Sequence, residues 1–167
     1  NVRITGRHYV GAIIGSLGRT IRNSSSSGIV NGADRVGGIV GFSLGLVQDS
    51  YSNSQVSGNN YIGGLVGYGG SWNNGVPPIY SLTASNTYSN GSVSGNSYVG
   101  GLVGYLGYTK GYGHIYNSYS TASVSGNSYV GGLLGDGIDS IVNSYYTDNH
   151  QNGFGTYESG GPSAFYG

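Results

Sequence analysis

The residues that could carry acid–base or metal chemistry are few and scattered along the chain. The histidines are His8, His114 and His150, and the sequence contains no cysteine. The acidic residues are Asp34, Asp49, Asp136, Asp139, Asp148 and Glu158. An active site requires titratable groups that converge, and no spacing among these residues brings a nucleophile, a base and a third group together. We therefore predict no enzymatic activity, no catalytic residues, no metal site and no cofactor.

One pair of carboxylates allows a second interpretation. Asp136 and Asp139 lie three positions apart in a glycine-containing segment, which permits a calcium loop or a carboxylate pair. A calcium loop needs six or more oxygen ligands, and no complete pattern follows these two residues. We favour a polar turn at this position.

Aromatic and amide side chains with potential for binding are concentrated in two segments, residues 69–78 and 106–113. The first carries Trp72, Asn73 and Asn74, and the second carries Tyr108, Lys110 and Tyr112. Such side chains on loops suit contacts with carbohydrate or protein. We predict these six as ligand-binding residues, with a loop packed over an open wall as an equally weighted alternative.

Composition narrows the class of partner. The chain has 167 residues, a formal net charge of zero, 35 glycines and 17 tyrosines. A neutral chain lacks the basic surface that nucleic acid requires, and no apolar run is long enough for a membrane-spanning helix. The low charge and the abundance of Ser, Asn, Gly and Tyr favour an extracellular or cell-surface location.

A glycine-rich unit recurs five times in the chain. The clearest copies are Tyr98–Tyr105, Tyr129–Gly135 and Tyr61–Tyr68, and the weaker copies are Arg35–Phe42 and Tyr9–Gly15. The strong copies contain the glycine pairs Gly63 and Gly64, Gly100 and Gly101, and Gly131 and Gly132. Glycine permits positive φ and close approach of a neighbouring layer, and we expect one of these properties at the pairs.

Two further units accompany the glycine unit. One is Ile-x-Asn-Ser-Tyr or a variant, with Asn23, Asp49, Asn86, Asn117 and Asn143 at its centre. The other is Val-Ser-Gly, which precedes the glycine unit at Val56, Val93 and Val124. Asparagines that recur in one column form amide ladders between layers, and we predict an inward-facing ladder here.

The spacing between the units predicts the fold. Each of the first four asparagine positions lies 14 residues before the next glycine pair. The opposite segment, from the last glycine of the unit to the asparagine position, is 8 residues in three copies, 19 in the third and 13 in the fourth. Length variation confined to one corner is typical of stacked solenoids. We predict an all-β parallel β-solenoid of about five coils, with a basic coil of 26 residues.

The apolar patches of each unit predict three short strands per coil, with a bend or bulge at the glycines. Residues 1–147 form the predicted solenoid, and residues 148–167 form a C-terminal cap or docking segment. The stacking predicts a valine column of Val10, Val36, Ile62, Val99 and Val130 and a leucine column of Ile13, Ile39, Leu65, Leu102 and Leu133.

Two tyrosine columns follow from the same register. One contains Tyr51, Tyr88, Tyr119 and Tyr145, and the other contains Tyr9, Tyr61, Tyr98 and Tyr129. Stacked rings that cover a wall are the favoured interpretation, and a ligand-binding stripe is the alternative.

The glycine unit resembles the GLUG motif, a Gly-Leu-x-Gly core seen here at Gly64–Gly67, Gly101–Gly104 and Gly132–Gly135. The resemblance covers roughly residues 1–147. It implies bacterial surface adhesin-like proteins or the non-catalytic part of secreted immunoglobulin A metallopeptidases, and it implies no catalytic residues.

Charge is uneven along the predicted axis. Five arginines, Arg3, Arg7, Arg19, Arg22 and Arg35, belong to the first two coils, whereas most acids follow residue 135. Complementary ends favour head-to-tail contacts.

The first hypothesis is a binding or stalk module of a surface adhesin that contacts carbohydrate or protein. The alternatives are an extracellular filament subunit that associates end to end, and an accessory domain of a secreted protease.

Overall fold

The computed structural model describes residues 1–70, 81–107, 113–137 and 140–147, and these residues form a parallel β-solenoid of five coils. The predicted fold class is therefore confirmed. The described residues contain no helix, and every pairing between strands is parallel. The predicted segment 148–167 lies outside the described residues, so its role as a cap or docking segment stays a prediction.

The chain passes through the same four sheets in each coil. The first coil contains β1 (Val2–Thr5), β2 (His8–Gly11), β3 (Ile14–Leu17) and β4 (Thr20–Arg22). The second contains β5 (Ser25–Asn31), β6 (Asp34–Gly37), β7 (Val40–Ser43) and β8 (Leu46–Gln48). The third contains β9 (Tyr51–Ser57), β10 (Asn60–Gly63), β11 (Val66–Gly69) and β12 (Thr83–Ser85).

The last two coils have a divided first strand. The fourth contains β13 (Tyr88–Ser89), β14 (Ser92–Ser94), β15 (Ser97–Gly100), β16 (Val103–Leu106) and β17 (His114–Tyr116). The fifth contains β18 (Tyr119–Ser120), β19 (Ser123–Ser125), β20 (Ser128–Gly131), β21 (Leu134–Gly137) and β22 (Ser140–Val142). A last strand, β23 (Tyr145–Tyr146), adds another layer to the first sheet.

Each strand pairs in register with the equivalent strand of the next coil. In the second sheet Val36 pairs with Ile62, and Ile62 pairs with Val99. The whole predicted valine column is present, from Val10 to Val130. The backbone amides of the predicted leucine column also hydrogen-bond from coil to coil, as from Leu65 N–H to the Leu102 carbonyl at 2.9 Å. The sequence register is therefore confirmed.

The prediction of three strands per coil is wrong, because two of the predicted strands are each divided by a corner. The glycine unit bends at Gly64 and Leu65, which separates β10 in the second sheet from β11 in the third. The predicted bend at the glycines is thus confirmed. The Ile-x-Asn-Ser-Tyr unit turns at its asparagine, which separates the fourth sheet from the first.

Close backbone contact explains the glycines of the repeat. A Cβ on Gly63 would lie 2.7 Å from the amide nitrogen of Gly104 in the next coil. A Cβ on Gly104 would in turn lie 2.6 Å from the amide nitrogen of Ile62. The second and third sheets therefore meet backbone to backbone, along a line that we call the glycine seam. No side chain fits at these positions because real Cβ atoms do not approach other atoms so closely.

Positive φ, the other property expected of the glycine pairs, is absent. The left-handed residues of each coil are instead the asparagine position and the residue two places before the pair, such as Tyr98 before Gly100. The pairs, including Gly100 and Gly101, have ordinary φ values. The sequence could not separate the two properties, since glycine serves both equally well.

The glycine seam separates two apolar clusters. The larger cluster lies between the third and fourth sheets and includes Leu65, Leu102 and Ile115. The smaller cluster lies between the first and second sheets and includes Val56, Ile62 and Val99. Columns of aliphatic side chains run through both clusters, and most of these side chains are fully buried.

A buried serine column lies beside the seam on the first sheet. Ser26 Oγ donates to the carbonyl of Gly38 at 2.6 Å and lies 3.2 Å from Ser52 Oγ. Ser89 Oγ likewise donates to the carbonyl of Gly101 and lies 3.2 Å from Ser120 Oγ. These hydroxyls satisfy carbonyls that the bend removes from the ordinary sheet pattern.

We expect Gly101→Ala to lower the free energy of unfolding by about 3 kcal/mol, because the added methyl overlaps the Gly132 carbonyl and the Ser120 hydroxyl. Gly18→Ala is the matched control, since a Cβ on Gly18 meets no atom within 4 Å. Chemical denaturation of both variants measures the difference. Equal stability of the two variants would contradict the close-contact explanation.

Candidate binding surface

The asparagine ladder lies on the outside of the solenoid, at the corner between the fourth and first sheets. Asn117 Nδ2 donates to Asn86 Oδ1 at 3.3 Å, and Asn86 Nδ2 donates to Asp49 Oδ1 at 2.9 Å. Asn143 Nδ2 extends the ladder to Asn117 Oδ1 at 3.3 Å. The amide ladder is confirmed, but its predicted inward direction is wrong, because all these side chains are exposed.

Backbone conformation explains why asparagine occupies this corner. All five residues at the position have φ between 46° and 52°. The left-handed region is costly for most residues, whereas asparagine and aspartate tolerate it because their short polar side chains bond locally. The chain thus turns the corner at low cost and presents a row of amides to solvent.

The first tyrosine column borders this ladder. Tyr51 and Tyr88 stack with ring centroids 4.7 Å apart, and Tyr88 and Tyr119 stack at 5.0 Å. Tyr145 continues the register through its pairing with Tyr119. Burial raises the pKa of the Tyr88 hydroxyl above its ordinary value of 10.0, and the neighbouring phenols Tyr51 and Tyr119 raise it further.

The second tyrosine column is also stacked, and it forms a wider aromatic wall. Tyr61 and Tyr98 stack at 4.8 Å, and Tyr98 and Tyr129 stack at 4.5 Å. Arg35 fills the tyrosine position of the second coil, where its guanidinium lies 5.1 Å from the Tyr9 ring and 5.5 Å from the Tyr61 ring. Cation–π contacts thus continue the column where an aromatic ring is missing.

The third sheet adds a row of rings that sequence reasoning missed. Phe42 lies 5.6 Å from Tyr68, and Tyr68 lies 5.1 Å from Tyr105. Tyr98 and Tyr105 meet edge to face at 5.5 Å, which joins this row to the second column. A signal was present in the sequence, since these three residues each follow the last glycine of a repeat unit. Stacking of the tyrosine columns, the favoured interpretation, is present in the structure.

The six predicted ligand-binding residues lie outside the described residues: Trp72, Asn73, Asn74, Tyr108, Lys110 and Tyr112. The residues that flank their segments are described and lie together. Both segments leave between the third and fourth sheets, and Gly107 N–H donates to the Gly69 carbonyl at 2.7 Å. Leu82 and Leu106 are fully buried beside them. The two segments therefore start from adjacent layers of one corner.

Titratable groups are dispersed in the described part of the chain. His8 Nδ1 lies 3.3 Å from Asp34 Oδ2, and Asp34 Oδ1 accepts from Asn60 Nδ2 at 2.8 Å. Asp136 lies in strand β21 rather than in the predicted polar turn, and its Oδ1 accepts from the Gly137 amide at 2.9 Å, whereas Asp139 lies outside the described residues. Over residues 1–70, 81–107, 113–137 and 140–147, no group of three His, Cys, Asp or Glu side chains is placed to hold a metal ion.

Comparison with known proteins agrees with the repeat. Residues 95–125 match the model of the GLUG motif family, which confirms the GLUG resemblance for this segment of the fourth and fifth coils. The search of curated proteins found no match, and the search of solved structures found none. Within the described ranges, no helix is long and apolar enough to span a membrane.

We expect Asn117→Ala to lower the free energy of unfolding by about 1–2 kcal/mol, because it removes two ladder bonds and places alanine in the left-handed region. Asn117→Gly removes the same bonds but tolerates the backbone, so its loss should be smaller. Thermal unfolding of the two variants separates the contributions. A larger loss in the glycine variant would show that the backbone conformation is not the constraint.

Proposed function

We propose that the chain is a non-catalytic extracellular module of a bacterial surface adhesin, which acts as a rigid stalk segment and presents binding loops. The observation that carries this proposal is the confinement of both insertions to one corner of an otherwise regular stack. The four sheets keep their register across the insertions, since Thr83 pairs with both Leu46 and His114. A scaffold of this kind holds variable loops without altering its own cross-section.

The stack supports the mechanical part of the proposal. Each interior coil is bonded to both neighbours in all four sheets, and the glycine seam locks the second and third sheets together. Separation of two coils therefore breaks many backbone hydrogen bonds at once. Resistance to the separation of coils under load suits a segment that extends from a cell surface.

The dispersion of titratable groups supports a non-catalytic role. In the described coils, His8 and Asp34 belong to the second sheet, whereas Asp49 lies at the corner between the fourth and first sheets. The other described histidine and aspartate, His114 and Asp136, belong to the fourth and third sheets, and no group of three His, Cys, Asp or Glu side chains in the described residues is placed to hold a metal ion. The match to the GLUG motif adds a repeat that carries no catalytic residues of its own.

We expect binding to require the insertions. Deletion of residues 71–81 and 108–112 returns both segments to the 8-residue spacing of the basic coil, so the solenoid should still fold. The test compares the parent and shortened chains on a printed glycan array and on immobilised extracellular-matrix proteins. The shortened chain should keep its circular dichroism spectrum and lose the binding that the parent chain shows.

Point substitutions test the residues within the loops, and a substitution outside the loops serves as the matched control. Trp72→Ala and Tyr112→Ala together should weaken binding at least tenfold, whereas Tyr129→Ala, on the second tyrosine column, should leave it within about twofold. Retained binding by a correctly folded shortened chain would overturn the role of the loops. Absence of any binding by the parent chain would leave only the stalk function.

End-to-end association is a second candidate function. Val2 and Ile13 in the first coil are 41% and 44% exposed, whereas Leu133 and Ile141 in the fifth coil are at most 1% exposed. Among the described residues, β2, β3 and β4 each have one unpaired edge at the first coil. Exposed strand edges with apolar side chains pair with strands of other chains.

We expect end-to-end association to give an open series of oligomers that grows with concentration and shrinks with salt. Sedimentation velocity measures the series. Substitution of Arg3, Arg7 and Arg22 by glutamate should reduce it, because the first coil would lose its positive charge. A chain that sediments as a monomer at every concentration would exclude this function.

A further inference from the structure

The first tyrosine column ends at a place where a ring is missing. Ser25 occupies the tyrosine position in the preceding layer and pairs in register with Tyr51. Tyr88 covers one face of the Tyr51 ring at an interplanar angle of 2°, so the opposite face points toward Ser25. A serine side chain is too small to cover an aromatic ring, and Ser25 is itself exposed.

In the second tyrosine column, a different side chain fills the position that lacks an aromatic ring. There the guanidinium of Arg35 stacks between Tyr9 and Tyr61. No described side chain makes an equivalent ring contact with Tyr51 on the Ser25 side. Ser25 is exposed and Tyr51 is partly exposed, so the gap between them opens sideways to solvent.

Hydrogen-bonding groups stand beside the uncovered face. Asn23 lies two residues before Ser25, and Asp49 lies two residues before Tyr51, both exposed and both in the left-handed conformation. Asp49 uses one carboxylate oxygen, Oδ1, to accept from Asn86. The Asn23 side chain makes no hydrogen bond within the described part of the chain. An amide and a carboxylate oxygen therefore lie at the corner from which the Ser25 and Tyr51 strands begin.

We propose that the gap over Ser25 binds a neutral pyranose ring of a glycan. The positively polarised C–H face of a pyranose complements the negative face of the Tyr51 ring. Sugar hydroxyls both donate and accept hydrogen bonds, so they match the Asn23 amide and the second oxygen of Asp49. Exposed Arg22 directly precedes Asn23, so its guanidinium and the Asp49 carboxylate leave this corner without net charge, which suits a neutral sugar. The bound ring continues the tyrosine stack by one layer.

This inference deepens the proposed binding function by naming a ligand class, and it rests on that function only for the choice of a glycan. The site lies at the corner between the fourth and first sheets, whereas the insertions join strands of the third and fourth sheets. Variants of the two regions therefore test the two proposals independently.

The experiment is saturation-transfer difference NMR on the full chain. The probes are methyl β-D-galactopyranoside, methyl β-D-glucopyranoside and methyl α-D-mannopyranoside, each tested alone. At least one should receive saturation, strongest at its ring C–H protons. Ser25→Tyr should reduce the transfer at least tenfold, because the new ring takes the place of the sugar, and it should not lower the melting temperature.

Ser123→Tyr is the matched control, because it adds an exposed tyrosine to the same sheet without filling the gap. It should leave the transfer within about twofold, as should deletion of residues 71–81 and 108–112. Equal transfer in Ser25→Tyr and the parent chain, or no transfer to any probe, would overturn the inference. Transfer lost only on deletion of the insertions would place sugar binding in the loops, which overturns this site and supports the proposed function.

Discussion

The backbone-to-backbone contact between the second and third sheets is the constraint on which the rest of the structure depends. It requires glycine at the first position of the pair and at the last position of the unit, as at Gly63 and Gly104. Because the contact repeats in every coil, it sets the distance between the two sheets. In each unit, the leucine that follows the glycine pair is then directed into the larger cluster, where Leu65 and Leu102 are fully buried.

Two left-handed positions recur in each coil, and they are stabilised in different ways. Asparagine or aspartate occupies the position at the corner at low cost, whereas tyrosine or arginine occupies the position inside the second-sheet strand, as at Tyr98 and Arg35. A bulky residue in this region costs about 1–3 kcal/mol. Stacking with the coils above and below offsets that cost, at about 0.5–1.5 kcal/mol for each ring pair. The strained position in the strand is therefore stabilised by the stack around it.

Spacing alone predicted the solenoid, the register of the columns and the corner with the insertions, because constant and variable lengths report directly on stacking. The direction of side chains was less predictable. An amide ladder has the same sequence pattern inside or outside, so the pattern does not show that Asn86 and Asn117 face solvent. Glycine serves both positive φ and close contact, so the sequence does not distinguish these roles at Gly100 and Gly101. Arg35 carries no aromatic signal, so the sequence does not show that it belongs to the tyrosine column.

The division of the interior into two clusters has a consequence for how the repeat tolerates change. Substitutions in separate clusters with no shared contacts have nearly additive effects on stability. The described residues that flank the insertions, Leu82 and Leu106, belong to the larger cluster, whereas Ile62 and Val99 belong to the smaller one. The half of the cross-section with the larger cluster can thus accumulate sequence variation, while the half with the smaller cluster preserves the alignment of the coils. Selection for new loops and selection for a stable stack then act on different residues.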